Sequence, residues 1–142
     1  IENSLKIDHC KLKILTHTYM QGNQKYAIWS LRLGLAAMFG YSGLDIIMHP
    51  TAWYWAVRGL PLFMQNIINA IGIDNYLMLQ GASELFFALV FLLWVWPRLT
   101  RVVAFLAAVE MAVILLMVGV DYITFRDFGP LGAAAALFFL MR

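Results

Sequence analysis

Four charged residues interrupt stretches that are otherwise hydrocarbon: Arg32, Asp45, Glu84 and Glu110. The run 77–96, "LMLQGASELFFALVFLLWVW", shows the conflict most clearly, with Glu84 a third of the way along. A lone ionised group at the centre of a bilayer costs ~2.5–3.5 kcal/mol on insertion scales, so each of these groups needs a partner. Buried carboxyls beside a guanidinium support two kinds of chemistry. They can lock helices in register as an ion pair, or they can hold and release protons, as quinone or proton chemistry requires.

A second set gathers around the polar connections: Asp45, His49, Arg58, Asp121, Arg126 and Asp127. Asp45 and His49 are four apart and share a helix face. Arg58 and Arg126 are suited to receiving an oxyanion or to pairing with the neighbouring aspartates. His49 precedes Pro50 and also reads as a helix stop rather than a metal ligand. The sequence contains no HExxH, haem-attachment motif, glycine-rich phosphate loop or nucleophile elbow, and Cys10 is the single cysteine. Neither a metal nor a haem site is expected. His9 and His17 lie in the polar tail.

The elements that carry these residues follow from composition. Of 142 residues, 63% are apolar and 13% charged, and mean hydropathy is +0.77. Soluble domains run near 45–50% apolar and about 25% charged, so this is the composition of a membrane protein. A net charge of +2 gives no nucleic-acid footprint. The first 25 residues are polar and mildly basic, without the apolar core of a secretion signal. They form a cytoplasmic segment, 1–26, ahead of a membrane domain, 27–142.

A hydrocarbon core about 30 Å thick takes ~20 apolar residues in a helix. Spans are expected at about 27–48, 76–96, 102–120 and 128–141, the last one short unless it begins near Thr124. The fold class is therefore all-α, an integral membrane antiparallel four-helix bundle. Between the first two spans, 49–75 is broken by Pro50, Gly59, Pro61 and Gly72. It reads as one or two short amphipathic helices at the interface, with Trp53, Tyr54 and Trp55 at the membrane boundary. Trp29, Trp94 and Trp96 mark the opposite boundary, and "PRLTR" (97–101) reads as a tight hairpin. Lys6, Lys11, Lys13, Lys25, Arg98, Arg101 and Arg142 fall on one side, against Arg58 and Arg126 on the other. The positive-inside rule then puts both termini in the cytoplasm and the chain in the plasma membrane.

With the spans in place, depth can be estimated at ~1.5 Å per residue. Arg32 lies ~7–8 Å and Glu110 ~12 Å in from the cytoplasmic side, and Glu84 lies ~18 Å from it. A long arginine reaches most of that gap, so depth permits one cluster of Arg32, Glu84 and Glu110 in which at least one carboxyl has a raised pKa or shares a proton, unless Glu110 faces a subunit partner instead. Tyr76, Gln80, Glu84 and Phe87 recur at helical spacing and give the second span a polar inner face. Ala36, Gly40 and Gly43 provide a small-residue surface for close packing.

The chain from about 27 to 141 resembles the DoxX/DoxD-like family of small four-span membrane proteins. The resemblance rests on "RLGLAAMFGYSGLDIIMHP", "GASELFFALVFLLWVWPRLTR" and "ITFRDFGPLGAAAALFF" in that order. These are similar to the family's arginine-led first helix ending in Ser-Gly, its Gly-x-x-Glu second helix, its arginine turn and its Arg-Asp-x-Gly entry to the last helix. The chain departs from the family at Asp45, where many members carry Lys, and at Pro130, where Leu is usual.

The resemblance implies a membrane subunit of a quinone-linked redox complex, of thiosulfate:quinone oxidoreductase or quinol oxidase type. Quinone would be the cofactor, and other membrane subunits or further copies of the chain the partners. On that reading Glu84, Arg32 and Glu110 are the catalytic candidates, while Arg58, Arg126, Asp127, His49 and Asp45 are the candidates for an anionic substrate. Two alternatives remain open: a non-enzymatic scaffold subunit whose buried charges lock the bundle, and a small-solute or proton pathway.

Overall fold

The computed structural model describes residues 2–93, 96–120 and 124–141, with the backbone alone described for 2–23. The described residues are helical throughout, apart from short connections. Helix α1 runs Glu2–Met48, so the polar segment continues directly into the first apolar stretch. It stops at His49, whose φ of −133° and ψ of 55° are those of a residue forced out of the helical region by the following Pro50. This confirms the helix-stop reading of His49.

The connection 49–72 contains three short pieces. A 3-10 turn spans Pro50–Trp53, α2 spans Tyr54–Arg58 and α3 spans Leu62–Ile71. Ile46, Val57, Ile68 and Leu77 bury together, which pins these pieces onto the adjoining ends of α1 and α4. On α3, Phe63, Ile67 and Ile71 recur every fourth residue and are all exposed. An exposed apolar stripe on a short helix is the pattern of a segment lying in a membrane interface.

Helix α4 runs Ile73–Leu92 and α5 runs Pro97–Met117. Both start earlier than the hydropathy pattern suggests. Gly72, with φ of 95°, allows the sharp change of direction that lets α4 begin at once after α3. Pro97 sits in the first turn of α5, where its missing N–H is not needed. The expected "PRLTR" hairpin is therefore corrected: 97–101 opens α5. Trp94 lies outside the described residues.

After α5, Gly119 takes φ of 92°, and a 3-10 turn, Thr124–Asp127, leads into α6, Phe128–Leu140. The Thr124 hydroxyl donates to the Gly119 carbonyl at 2.7 Å and closes this connection. Among the described residues, three helical stretches are long and apolar enough to cross a membrane: Gln24–Met48, Ile73–Leu92 and Pro97–Met117. α6, with 13 residues, is shorter.

One main core gathers Leu35 and Phe39 of α1, Phe87 and Phe91 of α4, Val103, Ala104, Ala107 and Met111 of α5, and Ala134 and Leu137 of α6. The outer faces of the same helices carry Leu33, Leu79, Phe86, Leu116 and Phe139, all more than 45% exposed. Arg32 and Glu84, by contrast, are 1% and 4% exposed. Ionisable groups inside and leucine outside reverse the arrangement that water imposes, and match what lipid imposes.

α1 and α4 approach closely where Gly43 faces Gly81. A Cβ on Gly43 would stand 2.7 Å from the Gly81 carbonyl oxygen, and one on Gly81 would stand 2.9 Å from the Gly43 carbonyl. Both distances are below any real Cβ contact, so only glycine permits this crossing. The crossing fixes the register of the residues beside it, Ser42 on α1 and Gln80 and Glu84 on α4.

Candidate functional site

The close crossing brings Ser42 against the Glu84 carboxyl. Gln80, one turn earlier on α4, holds its amide between two acids. Nε2 donates to Glu84 Oε1 at 3.4 Å and, in a shorter bond, to Glu110 Oε1 on α5. Of the polar stripe expected on the second span, Gln80 reaches across to α5, while Glu84 and Phe87 face Ser42 and Phe39 of α1. Glu84 and Glu110 belong to one cluster, joined by Gln80 rather than by an arginine.

Tyr76, one turn further along, is half-buried and lies within electrostatic range of both carboxyls. Asp127, half-buried, closes the 3-10 turn at the entry to α6. Glu84 Oε2 is enclosed and has no hydrogen-bond partner of good geometry. A buried acceptor in that condition is costly.

The expected ion pair between Arg32 and Glu84 is corrected. The Arg32 guanidinium donates from Nε to the Phe91 carbonyl at 2.8 Å and from Nη2 to the Leu93 carbonyl at 2.9 Å, and lies 4.9 Å over the Trp29 ring. Phe91 is seven residues beyond Glu84, about 10 Å along the helix. The last carbonyls of a helix have no intrahelical donor, and the helix end carries partial negative charge. Arg32 meets that demand at its own depth, and so caps α4 instead of stretching toward the acid.

The second expected group separates into parts. Asp45 is fully engaged: the imidazole Nδ1 of His49 lies 3.1 Å from Oδ1, and Trp53 Nε1 donates to Oδ2 at 2.9 Å. This arrangement ties the end of α1 to the 3-10 turn that follows. Arg58 and Arg126 are both exposed, and among the described residues no contact brings them together. Asp121 lies outside the described residues. Nearby, the Tyr54 hydroxyl donates to Asp74 Oδ1 at 2.5 Å and joins α2 to the first turn of α4. That hydrogen bond, with some loss of solvent and the charge of Asp74, raises the Tyr54 phenol above its ordinary value.

Sequence reasoning missed Ser42, Trp53 and the two carbonyl acceptors. Ser42 carried a readable signal, because it stands beside Gly43 on the small-residue face. The carbonyls carried none, since every residue has one. Among the described residues, no three His, Cys, Asp or Glu side chains are grouped so as to hold a metal ion. No family model, curated protein or solved structure matches the chain.

Proposed function

We propose that the chain is a multi-pass plasma-membrane subunit of a quinone-linked redox complex, in which Glu84 and Glu110 handle protons. Reduction of a quinone takes up two electrons and two protons. In this reading the electrons come from a partner subunit. The observation that carries this reading is the Gln80 amide bridging Glu84 and Glu110 across α4 and α5. A carboxyl pair joined by one donor, with Glu84 Oε2 enclosed and unpartnered, forms a relay able to accept or pass on one proton.

In this reading α6 and the turn before it complete a four-span bundle with both termini in the cytoplasm. Arg58 and Arg126 attract the anionic electron donor on the outer side. Arg32 leaves the chemistry and holds the cytoplasmic end of α4. The test is quinone reduction by protein isolated from its native membranes together with copurifying subunits. Glu84→Gln and Glu110→Gln should each slow reduction by about 10²-fold or more, the usual contribution of a positioned acid or base. Rates equal to wild type would remove both acids from the chemistry.

A second reading, a non-enzymatic scaffold subunit, is favoured by the structural use of Arg32 and by the tight Gly43–Gly81 crossing. It requires Glu84→Gln to lower melting temperature or yield while any activity of the complex survives.

A further inference from the structure

The first turns of α5 and the last turns of α6 border a groove of about 510 Å³, lined by Arg98, Arg101, Val102, Phe105 and Phe138. Its two halves differ in chemistry. Arg98 and Arg101 are one turn apart at the very start of an apolar helix of membrane-crossing length. Within about 6 Å of that start lies the headgroup zone, and Trp96, 67% exposed, marks the same boundary. Val102 and Phe105 continue the wall toward the hydrocarbon and are 55% and 51% exposed.

Arg101 is held but not neutralised, and Arg98 beside it is exposed. The Arg101 guanidinium lies 4.8 Å over the Phe138 ring, and its Nε is enclosed without an acceptor. Among the described residues neither arginine has a carboxylate partner. A guanidinium kept at the boundary by a ring, with an unused N–H, calls for an oxyanion. The apolar wall running inward from it calls for a chain attached to that oxyanion. A free inorganic anion would use the first feature and leave the second bare. Basic pockets between helices on the cytoplasmic side bind the headgroups of anionic lipids for this reason.

We infer that the Arg98–Arg101 groove binds the phosphodiester of an anionic glycerophospholipid, with an acyl chain along Val102, Phe105 and Phe138. The site lies about 13 Å along α5 from Glu110 and is independent of the proposed proton chemistry.

The test is native mass spectrometry of the full chain, purified in detergent and titrated with phosphatidylglycerol, phosphatidylcholine or inorganic phosphate. Wild type should retain phosphatidylglycerol roughly 25-fold better than phosphatidylcholine, the share of two interfacial cations. The double variant Arg98→Gln/Arg101→Gln should fall to the phosphatidylcholine level, while Lys25→Gln, a cation outside the groove, should retain the lipid like wild type. Val102→Trp, which fills the groove and keeps both charges, should lose the lipid; this variant stays decisive if the double variant does not fold. The proposal is overturned by equal retention of the two lipids, by a folded double variant that binds like wild type, or by retention in Val102→Trp. Displacement of the lipid by an equal concentration of inorganic phosphate would likewise overturn it, in favour of a free-anion site.

Discussion

Two acids near the α1–α4 contact meet opposite fates. Asp45, at the end of α1, has a donor on each carboxylate oxygen, from His49 and Trp53, and keeps access to water. Glu84, at the close crossing, is 4% exposed, receives a long bond from Gln80 on one oxygen and has no good partner on the other. The better-satisfied acid is the one that least needs satisfying. A carboxylate in contact with water tolerates imperfect partners, whereas an enclosed one costs several kcal/mol when left incomplete. Asp45 therefore has the character of a fastening, and Glu84 that of an enclosed acid with an incomplete set of donors.

The contrast is open to experiment, beginning with the largest effect. Arg32→Ala removes both donors from the end of α4 and empties a fully enclosed site; unfolding in detergent should show a loss of about 3–5 kcal/mol. Arg32→Lys should recover only part of this, because an ammonium cannot span two carbonyls as a planar fork does. If Arg32 instead served Glu84, the double variant Arg32→Ala/Glu84→Gln would regain stability. A cap on the carbonyls predicts that it does not.

Gly81→Ala comes next. The added Cβ meets Ile47 at 2.7 Å and the Gly43 carbonyl at 2.9 Å, so the helices must separate, at about 1–3 kcal/mol. Moving Ser42 away from Glu84 should also change any rate that depends on that acid. A loss of stability with an unchanged rate would confine the crossing to a packing role.

The direct comparison of the two acids has opposite signs. Asp45→Asn should destabilise by about 0.5–1.5 kcal/mol, since an amide cannot accept from two donors on both of its termini. Glu84→Gln should be neutral or stabilising by about 1 kcal/mol, because it takes a buried acid out of an incomplete network. Equal losses at both positions, read from chemical unfolding, would erase the distinction between the fastening and the incompletely satisfied acid.

The smallest effect concerns Tyr54. Its phenol is raised by the hydrogen bond to Asp74, so the folded state favours the protonated form. The contribution of this contact is present below the unfolded value near 10 and is lost as pH rises through the folded value. Absorbance titration should show the late-ionising amplitude smaller by one phenol in Tyr54→Phe than in wild type. An unchanged late amplitude in the variant would show that Tyr54 ionises as an ordinary phenol.

Much of this was legible in the chain. The apolar runs, the helix stop at His49, the short broken helices of 49–75 and the inward stripe Tyr76–Gln80–Glu84–Phe87 all follow from hydropathy and period. Helix starts were read several residues late at Ile73 and Pro97, because a window average blurs polar first turns that the backbone nonetheless includes. Grouping Glu84 with Glu110 was also within reach, through depth arithmetic. The role of Arg32 was not, because depth says how far a side chain lies from an acid but nothing about a nearer main-chain acceptor.

The sequence by itself determined that these helices expose leucine and hide charge, since length and hydropathy are properties of a line of residues and lipid reads them one helix at a time. Tertiary structure alone decided which buried charge meets which acceptor. That choice depends on helix register, set where two glycines let the α1 and α4 backbones touch. A shift of one turn there would give Arg32 different carbonyls and Glu84 different neighbours.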